Sequence, residues 1–516
     1  MVTRVSAKTA GKQAAQKVAK SVQKNVARAV SGTLGISGER MSKVDTAWLR
    51  MDSDANLMMI VGVWQLAPGV KHAAVCERIE NSLLKYDRFR QRVMEDAAGA
   101  TWVFDRNFDL ANHVVVEKLP KPASGNQQEA LQDRVAALAT QRLDPKRPLW
   151  QIHLVEDYTG PDGVKGSAMI VRIHHCIADG IALISVTMSL VDGGAPPPER
   201  RKKTATAPGA EDWITDTLLK PFTDITVKAL GAVGEGAARS LGMLGDPKKG
   251  MEKGVSGSMD MAKVLFQVLS DTAAMALMPD DSKTRLKGKP GGAKKVAWCQ
   301  PIPLDEVKAV GKALNCSIND VLLSCVAGAL GEYLKSHGDD VTGQEIRAMV
   351  PVNLRPMEQA YKLGNRFGLV PLVLPIGVEN PIERVYEVRR RMAALKGSYQ
   401  PLLAFSLLAV AGLLIKPAQD VMLNLFARKT TAVMTNVPGP REKLKFCGST
   451  LEQSMFWVPQ SGDVGLGVSI LSYGGGVQFG VITDSTLCPD PQRIIGEFVP
   501  EFAKLSIVTL MLPWGE

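Results

Sequence analysis

Apolar and polar positions fall into two blocks of alternating strand-like and helix-like pattern, separated by a long stretch that fits neither. In the first block, Met58–Leu66, Trp150–Val155 and Ser167–Ile173 are apolar runs of strand length, and Ile181–Val191 reads as a helix after the third. A Pro-rich break at Ala195–Arg201 then opens a segment of about 100 residues, far beyond ordinary loop length, with helical pieces at Trp213–Leu230 and Met259–Met278. It predicts a connector that crosses between domains or covers something. Alternation resumes at Val296. Ser317-Ile318-Asn319-Asp320 has the S-x-x-D form of a capping box, and Leu323, Val326, Leu330 and Leu334 stripe the helix behind it. Met349–Val352 and Phe367–Leu374 read as strands, and Leu466–Tyr473 and Val477–Thr483 flank a Gly474-Gly475-Gly476 hairpin signal. No internal repeat points to a solenoid. The expected organisation is an extension at 1–37, an α/β domain with mixed sheets at 38–194, a partly helical connector at 195–295 and a second α/β domain at 296–516.

Charge changes the picture only at the start. Arg4, Lys8, Lys12, Lys17, Lys20, Lys24 and Arg28 precede any acidic residue and supply most of the net charge of +10. The remaining chain is nearly balanced, which argues against a nucleic-acid-binding body. Val18, Val22, Val26 and Val30 recur every four positions on another face, so this segment reads as a helix on an anionic lipid surface or as a solvated tail. Its acid-free, Ala/Ser-rich composition also admits a transit peptide. The seven cysteines are scattered, without a CxxC pair, and fit reduced thiols in the cytosol. The best apolar run, Leu402–Ile415, is too short to span a membrane and reads as a buried or interfacial helix or as the lining of an acyl tunnel.

The sharpest chemical feature is His174-His175-Cys176-Ile177-Ala178-Asp179-Gly180, between an apolar strand and a helix. Successive strand side chains point to opposite faces, so His175 groups with Met169, Val171 and Ile173, and His174 with Ile170 and Arg172. One histidine is then free for chemistry while the other packs or hydrogen-bonds behind it. Residues diverging in this way make poor joint ligands, and no Cys or Glu stands at zinc-site spacing, so no metal site is expected. A serine nucleophile lacks its G-x-S-x-G elbow, and Cys176 points away from His175.

This HHxxxDG run resembles the signature of chloramphenicol-acetyltransferase-like CoA-dependent acyltransferases and of peptide-synthetase condensation domains. Met41-Ser42-Lys43-Val44-Asp45, Pro148-Leu149-Trp150, Asn319-Asp320-Val321-Leu322-Leu323 and Thr435-Asn436-Val437-Pro438-Gly439-Pro440 resemble motifs of the bacterial wax ester synthase/diacylglycerol acyltransferase family, in the family's order from Met41 to Thr483. Thr435 stands where Ser is common, which keeps a hydroxyl; the basic extension lies outside the resemblance. The resemblance implies two chloramphenicol-acetyltransferase-like domains with the reaction centre between them. His175 would act as general base on an alcohol attacking an acyl-CoA thioester, without an acyl-enzyme, metal or other cofactor. The acceptor would be a long-chain alcohol or diacylglycerol, and the location cytoplasmic, peripheral to the inner membrane face or lipid inclusions. Asp179 reads as an orienter of His175; the resemblance instead implies a loop-holding ion pair, with Arg355 as the candidate partner. Asn319 and Asn436 are expected either to donate to the thioester or oxyanion or to brace a cap and a turn. Pro148, Trp150, Gly180 and Asp320 are expected in supporting or substrate-binding positions. Two rivals share part of this pattern: an amide-forming condensation enzyme, which shares HHxxxDG, and a non-enzymatic lipid-droplet surface protein, which the basic start and helical connector suit.

Overall fold

The structure, a computed structural model, describes residues 38–96, 99–123, 125–194, 279–353, 363–365, 367–396 and 427–511. The basic extension, the expected connector helices, Leu402–Ile415 and Arg355 lie outside the described residues. In the first half the strands are β1 (Gly38–Arg40), β2 (Met59–Ala67), β3 (Gln91–Asp96), β4 (Gly99–Phe104), β5 (Val114–Glu117), β6 (Trp150–Thr159) and β7 (Lys165–His174). The second half adds β8 (Lys294–Trp298), β9 (Ile302–Pro303), β10 (Ile346–Asn353), β11 (Phe367–Leu374), β12 (Ala432–Pro438), β13 (Lys445–Phe446), β14 (Ser449–Trp457), β15 (Leu466–Tyr473) and β16 (Gly476–Asp484). The longer helices are α1 (Lys43–Arg50), α2 (His72–Asn81), α3 (Gln128–Thr140), α4 (Gly180–Leu190), α5 (Leu304–Ala313), α6 (Ile318–Ser336), α7 (Pro381–Lys396) and α8 (Pro491–Met511).

Two large mixed sheets organise these elements. One has the order β13-β14-β2-β7-β6-β5, the other β11-β10-β12-β15-β16-β8 with β9 attached to β16; β1, β4 and β3 form a small third sheet. The first sheet departs from the expected domain boundaries. β14 comes from the C-terminal half yet pairs antiparallel with β2, from Thr450 opposite Ala67 to Trp457 opposite Val61. The segment 296–516 therefore cedes two strands to the sheet that carries the histidines. The order of segments along the chain does not name the edge a strand joins, so the placement of β14 appears only in the structure. β8 likewise begins at Lys294, inside the span expected for the connector.

Side-chain alternation places different cores on the two faces of the first sheet. Met169 packs with Trp64, Trp150 and Leu451, whereas Ala168 and Ile170 pack with Val61, Met455 and Trp457. The second sheet packs on α6 and α8 through Val326, Leu330, Phe479 and Phe498. β16 is buried along its whole length, as expected of a strand covered on both sides. Gly474 and Gly475, with φ of 59° and 80°, form its turn with β15, a conformation that favours glycine. The sheets meet where Trp298 lies 5.9 Å from Trp457, and a Cβ on Gly480 would stand 3.1 Å from both side chains. Behind α6, Arg384 pairs with Glu501 in the interior and donates to the Ser324 carbonyl, tying α7 and α8 to that helix.

Candidate active site

β7 ends at His174, and a turn carries the chain through Cys176 into α4. The PLW segment fixes this end. The His174 N–H donates to the Leu149 carbonyl at 2.9 Å, and Trp150 closes against Phe89 while its indole N–H donates to the Phe89 carbonyl at 2.8 Å. Pro148 is buried, and its carbonyl accepts the Trp150 N–H at 2.9 Å.

The two histidines have different surroundings. His174 Nδ1 accepts the Cys176 N–H at 3.2 Å, and its Nε2 lies 3.4 Å from the Asp52 carboxylate. A proton on Nε2 faces the Asp52 carboxylate, and against the opposing effect of burial Cys176 and Asp52 raise the His174 pKa well above the ordinary histidine value. His175 donates its backbone N–H to the Met58 carbonyl at 2.7 Å, and its own carbonyl accepts the Asn365 side-chain amide at 2.7 Å. Its imidazole stacks on Trp48 at 4.3 Å between centroids and 17° between planes, with Phe367 at 5.4 Å. Nδ1 is enclosed without a hydrogen-bond partner among the described residues. Burial pushes the His175 pKa down to about 4; the Asp179 charge, its own carbonyl and Asn365 pull the other way without overcoming it. At neutral pH the imidazole is uncharged.

Asp179 caps α4, its carboxylate accepting the Ala182 N–H at 2.9 Å. Its own N–H reaches the Gly364 carbonyl at 3.4 Å, beside a parallel bridge between Ala178 and Gly364. The histidine loop is thus held by the segment that leads into β11. Gly180 begins α4, and a Cβ there would meet nothing within 4 Å. That open space belongs to an apolar cavity of about 170 Å³ between the first sheet and α4. Met169, Val171 and Ile173 of β7 form part of its wall, the face that alternation grouped with His175; Leu183 and Val186 of α4 cover it. Val437, Gly439 and Pro440, from the motif that begins at Thr435, close the far side.

Asn436 of β12 donates to the Asn319 side-chain oxygen at 3.0 Å. The neighbouring Asp320 turns back into its own capping box, accepting the Ser317 N–H at 2.9 Å while the Ser317 hydroxyl accepts the Asp320 N–H at 3.2 Å. Asp320 is committed to the helix start. Gly180 of the HHxxxDG run and Val437, Gly439 and Pro440 of the NVPGP segment border one cavity, and the Asn319–Asn436 pair stands next to it in sequence at Val437; Arg355 lies outside the described residues. Sequence reasoning missed three residues. Trp48 and Asp45 stand one turn apart on α1, and Asp45 Oδ1 accepts both the backbone and side-chain N–H groups of Asn365, at 3.0 and 2.7 Å. Asp45 carried a signal, as the last residue of the Met41–Asp45 motif; Asn365 carried none. Burial raises the Asp45 carboxyl pKa, opposed by these hydrogen bonds.

Two mixed sheets, the first completed by strands from the second half of the chain, with paired histidines at the end of a strand that walls an apolar cavity, define a chloramphenicol-acetyltransferase-like fold. Solved structures share it. A wax ester synthase/diacylglycerol acyltransferase from Marinobacter aquaeolei VT8 aligns with a TM-score of 0.62 at 20% identity, covering 91% of this chain and 99% of that one. A trichothecene 15-O-acetyltransferase from Fusarium sporotrichioides aligns with a TM-score of 0.56 at 12% identity, covering 91% of this chain and 94% of that one. The wax ester synthase/diacylglycerol acyltransferase catalytic domain model matches residues 41–322, and the C-terminal domain model of the same family matches 363–506. The chain belongs to the wax ester synthase/diacylglycerol acyltransferase family and is an O-acyltransferase. A probable diacylglycerol O-acyltransferase of Mycobacterium tuberculosis is 25% identical over 91% of this chain and 96% of its own length. Wax ester synthase/diacylglycerol acyltransferase 11 of Arabidopsis thaliana is 25% identical over 89% of this chain and 93% of its own.

Proposed function

We propose that this enzyme moves a long-chain acyl group from acyl-CoA to the hydroxyl of a long-chain alcohol or diacylglycerol, with His175 as general base. The observation that carries the reading is the uncharged, buried imidazole at the end of the strand whose side chains wall the apolar cavity. With Nδ1 enclosed, Nε2 is the nitrogen left to meet a hydroxyl. As Nε2 takes the hydroxyl proton, the oxygen attacks the thioester carbonyl; collapse breaks the C–S bond, and the CoA thiolate leaves with the proton that His175 returns. No acyl-enzyme enters this sequence, and Cys176 is fully buried, its backbone N–H engaged by His174. The cavity suits the acyl chain, because apolar burial supplies about 0.8 kcal/mol per methylene. Asn319 and Asn436 are the candidate donors toward the developing oxyanion.

The test is CoA release from palmitoyl-CoA with hexadecanol and diacylglycerol offered separately, beside a parallel assay with an acyl carrier protein and an amine acceptor. Release with neither lipid alcohol would reject the assignment, and activity confined to the carrier-bound donor would favour the condensation reading.

The reaction places both substrates and product in lipid. Among the described residues no single helix is long and apolar enough to cross a membrane. Peripheral attachment through the basic extension fits this need, each lysine or arginine gaining about 1 kcal/mol near an anionic surface. Sedimentation with anionic vesicles compares the full chain with residues 38–516. Equal binding at low salt would reject the extension as the anchor.

A further inference from the structure

The motif Met41–Asp45 opens a helix for which the reaction scheme has no use, yet that helix grips His175 at two points. Ser42 caps α1, its hydroxyl accepting the Asp45 N–H at 3.0 Å. Asp45 and Trp48 then project from one helical face, three residues apart. Through Asp45 the helix holds Asn365, whose amide in turn holds the His175 carbonyl, each of these two side-chain bonds being 2.7 Å long and buried. Through Trp48 it covers the flat face of the imidazole. Phe367 flanks both rings, 5.6 Å from the indole and 5.4 Å from the imidazole, and Trp48 is itself buried, so the stack is enclosed in the core.

This arrangement acts differently on the two charge states of the base. An uncharged imidazole gains packing from the indole. An imidazolium gains in addition the attraction of a cation for an electron-rich ring face, which acts within about 6 Å and is strongest over tryptophan. Charge appears on His175 only as the alcohol proton transfers, so the extra attraction belongs to the transition state rather than to bound substrate, and it raises kcat rather than lowering KM. The need is acute here, because His175 is buried, and although the Asp179 charge favours the imidazolium it does not overcome that burial.

We infer that α1 is the brace of the catalytic base, with Trp48 a positioning residue that stabilises His175 as it becomes imidazolium and Asp45, through Asn365, holding its backbone. The inference rests on the assignment of His175 as base. It accounts for why a motif more than a hundred residues upstream of HHxxxDG belongs to the same machinery.

The experiment measures kcat and KM for palmitoyl-CoA, with saturating hexadecanol, on the full-length wild type and on Trp48→Phe, Trp48→Leu and His175→Ala, alongside the thermal midpoint of each. Trp48→Leu keeps an apolar side chain but removes the ring face, and its kcat is expected to fall roughly 3- to 30-fold with KM within about twofold of wild type. Trp48→Phe is expected to fall between the two. A folded Trp48→Leu protein with wild-type kcat, or with its loss confined to KM, would overturn the inference while a dead His175→Ala left the base assignment intact. Wild-type turnover by His175→Ala would overturn both. Should Trp48→Leu fail to fold, Trp48→Phe decides by the same split: a lowered kcat at unchanged KM upholds the brace, and an unchanged kcat rejects it.

Discussion

Asn436 donates its side-chain amide to the side-chain oxygen of Asn319 across 117 residues of sequence, at 3.0 Å. Two motifs that looked like independent candidates thus form one unit. Each asparagine orients the other, so removing either is expected to impair the survivor. In a cycle of Asn319→Ala, Asn436→Ala and the double variant, kcat/KM is expected to show a coupling of about 1 kcal/mol or more, the double being little worse than the poorer single. Strict additivity would show that the pair does not act together.

The burial of His175 sets a pH dependence. Its pKa is held near 4, so the uncharged base persists well below the pH at which an exposed histidine protonates. The acid limb of kcat/KM is expected at about pH 4 rather than near 6.5. For stability the sign follows from linkage: the unfolded chain takes up this proton as pH falls below about 6.5 and the folded chain only near 4, so the contribution of His175 to stability is lost as pH falls through that window and is constant above it. A limb centred at 6.5 would mean that His175 is solvated in the working enzyme.

The open space at Gly180 bears on substrate choice. A leucine there meets no protein atom at its Cβ, so the fold tolerates it, but its side chain enters the cavity. Gly180→Leu is expected to lower turnover of palmitoyl-CoA at least tenfold while sparing butyryl-CoA, which needs little of the cavity. The ratio of the two rates in one preparation checks this. Equal losses on both donors would place the acyl chain elsewhere.

Much of this site is legible in the sequence because its cues are local. Alternation along Ser167–Ile173 sorts the two faces of β7, and the S-x-x-D spacing at Ser317 marks the capping box that the structure shows. The pairing of β14 with β2 is not legible, since nothing in the residues of a strand names the partner it joins several hundred positions away. The same limit hid Asn365, whose role exists only because a segment 190 positions further on packs against the His175 carbonyl. Trp48 reads as one more apolar residue of a short helix until the imidazole is placed beside it. Asp320, expected among supporting or substrate-binding positions, is taken up by its own helix start.

The central claim is that His175, not His174, takes the proton of the acceptor alcohol. The most direct test is the rate of CoA release from palmitoyl-CoA with hexadecanol, at pH 7.5, for folded His175→Ala and His174→Ala proteins measured beside wild type. His175→Ala is expected to lose about 10²- to 10⁴-fold in kcat, the span for removing a general base, while the protein remains folded. His174→Ala, which leaves the Cys176 N–H and Asp52 without their ring partner, is expected to lose stability more than specific activity. A His175→Ala protein that turns over within a few-fold of wild type, or a reversal of the two phenotypes, would contradict it.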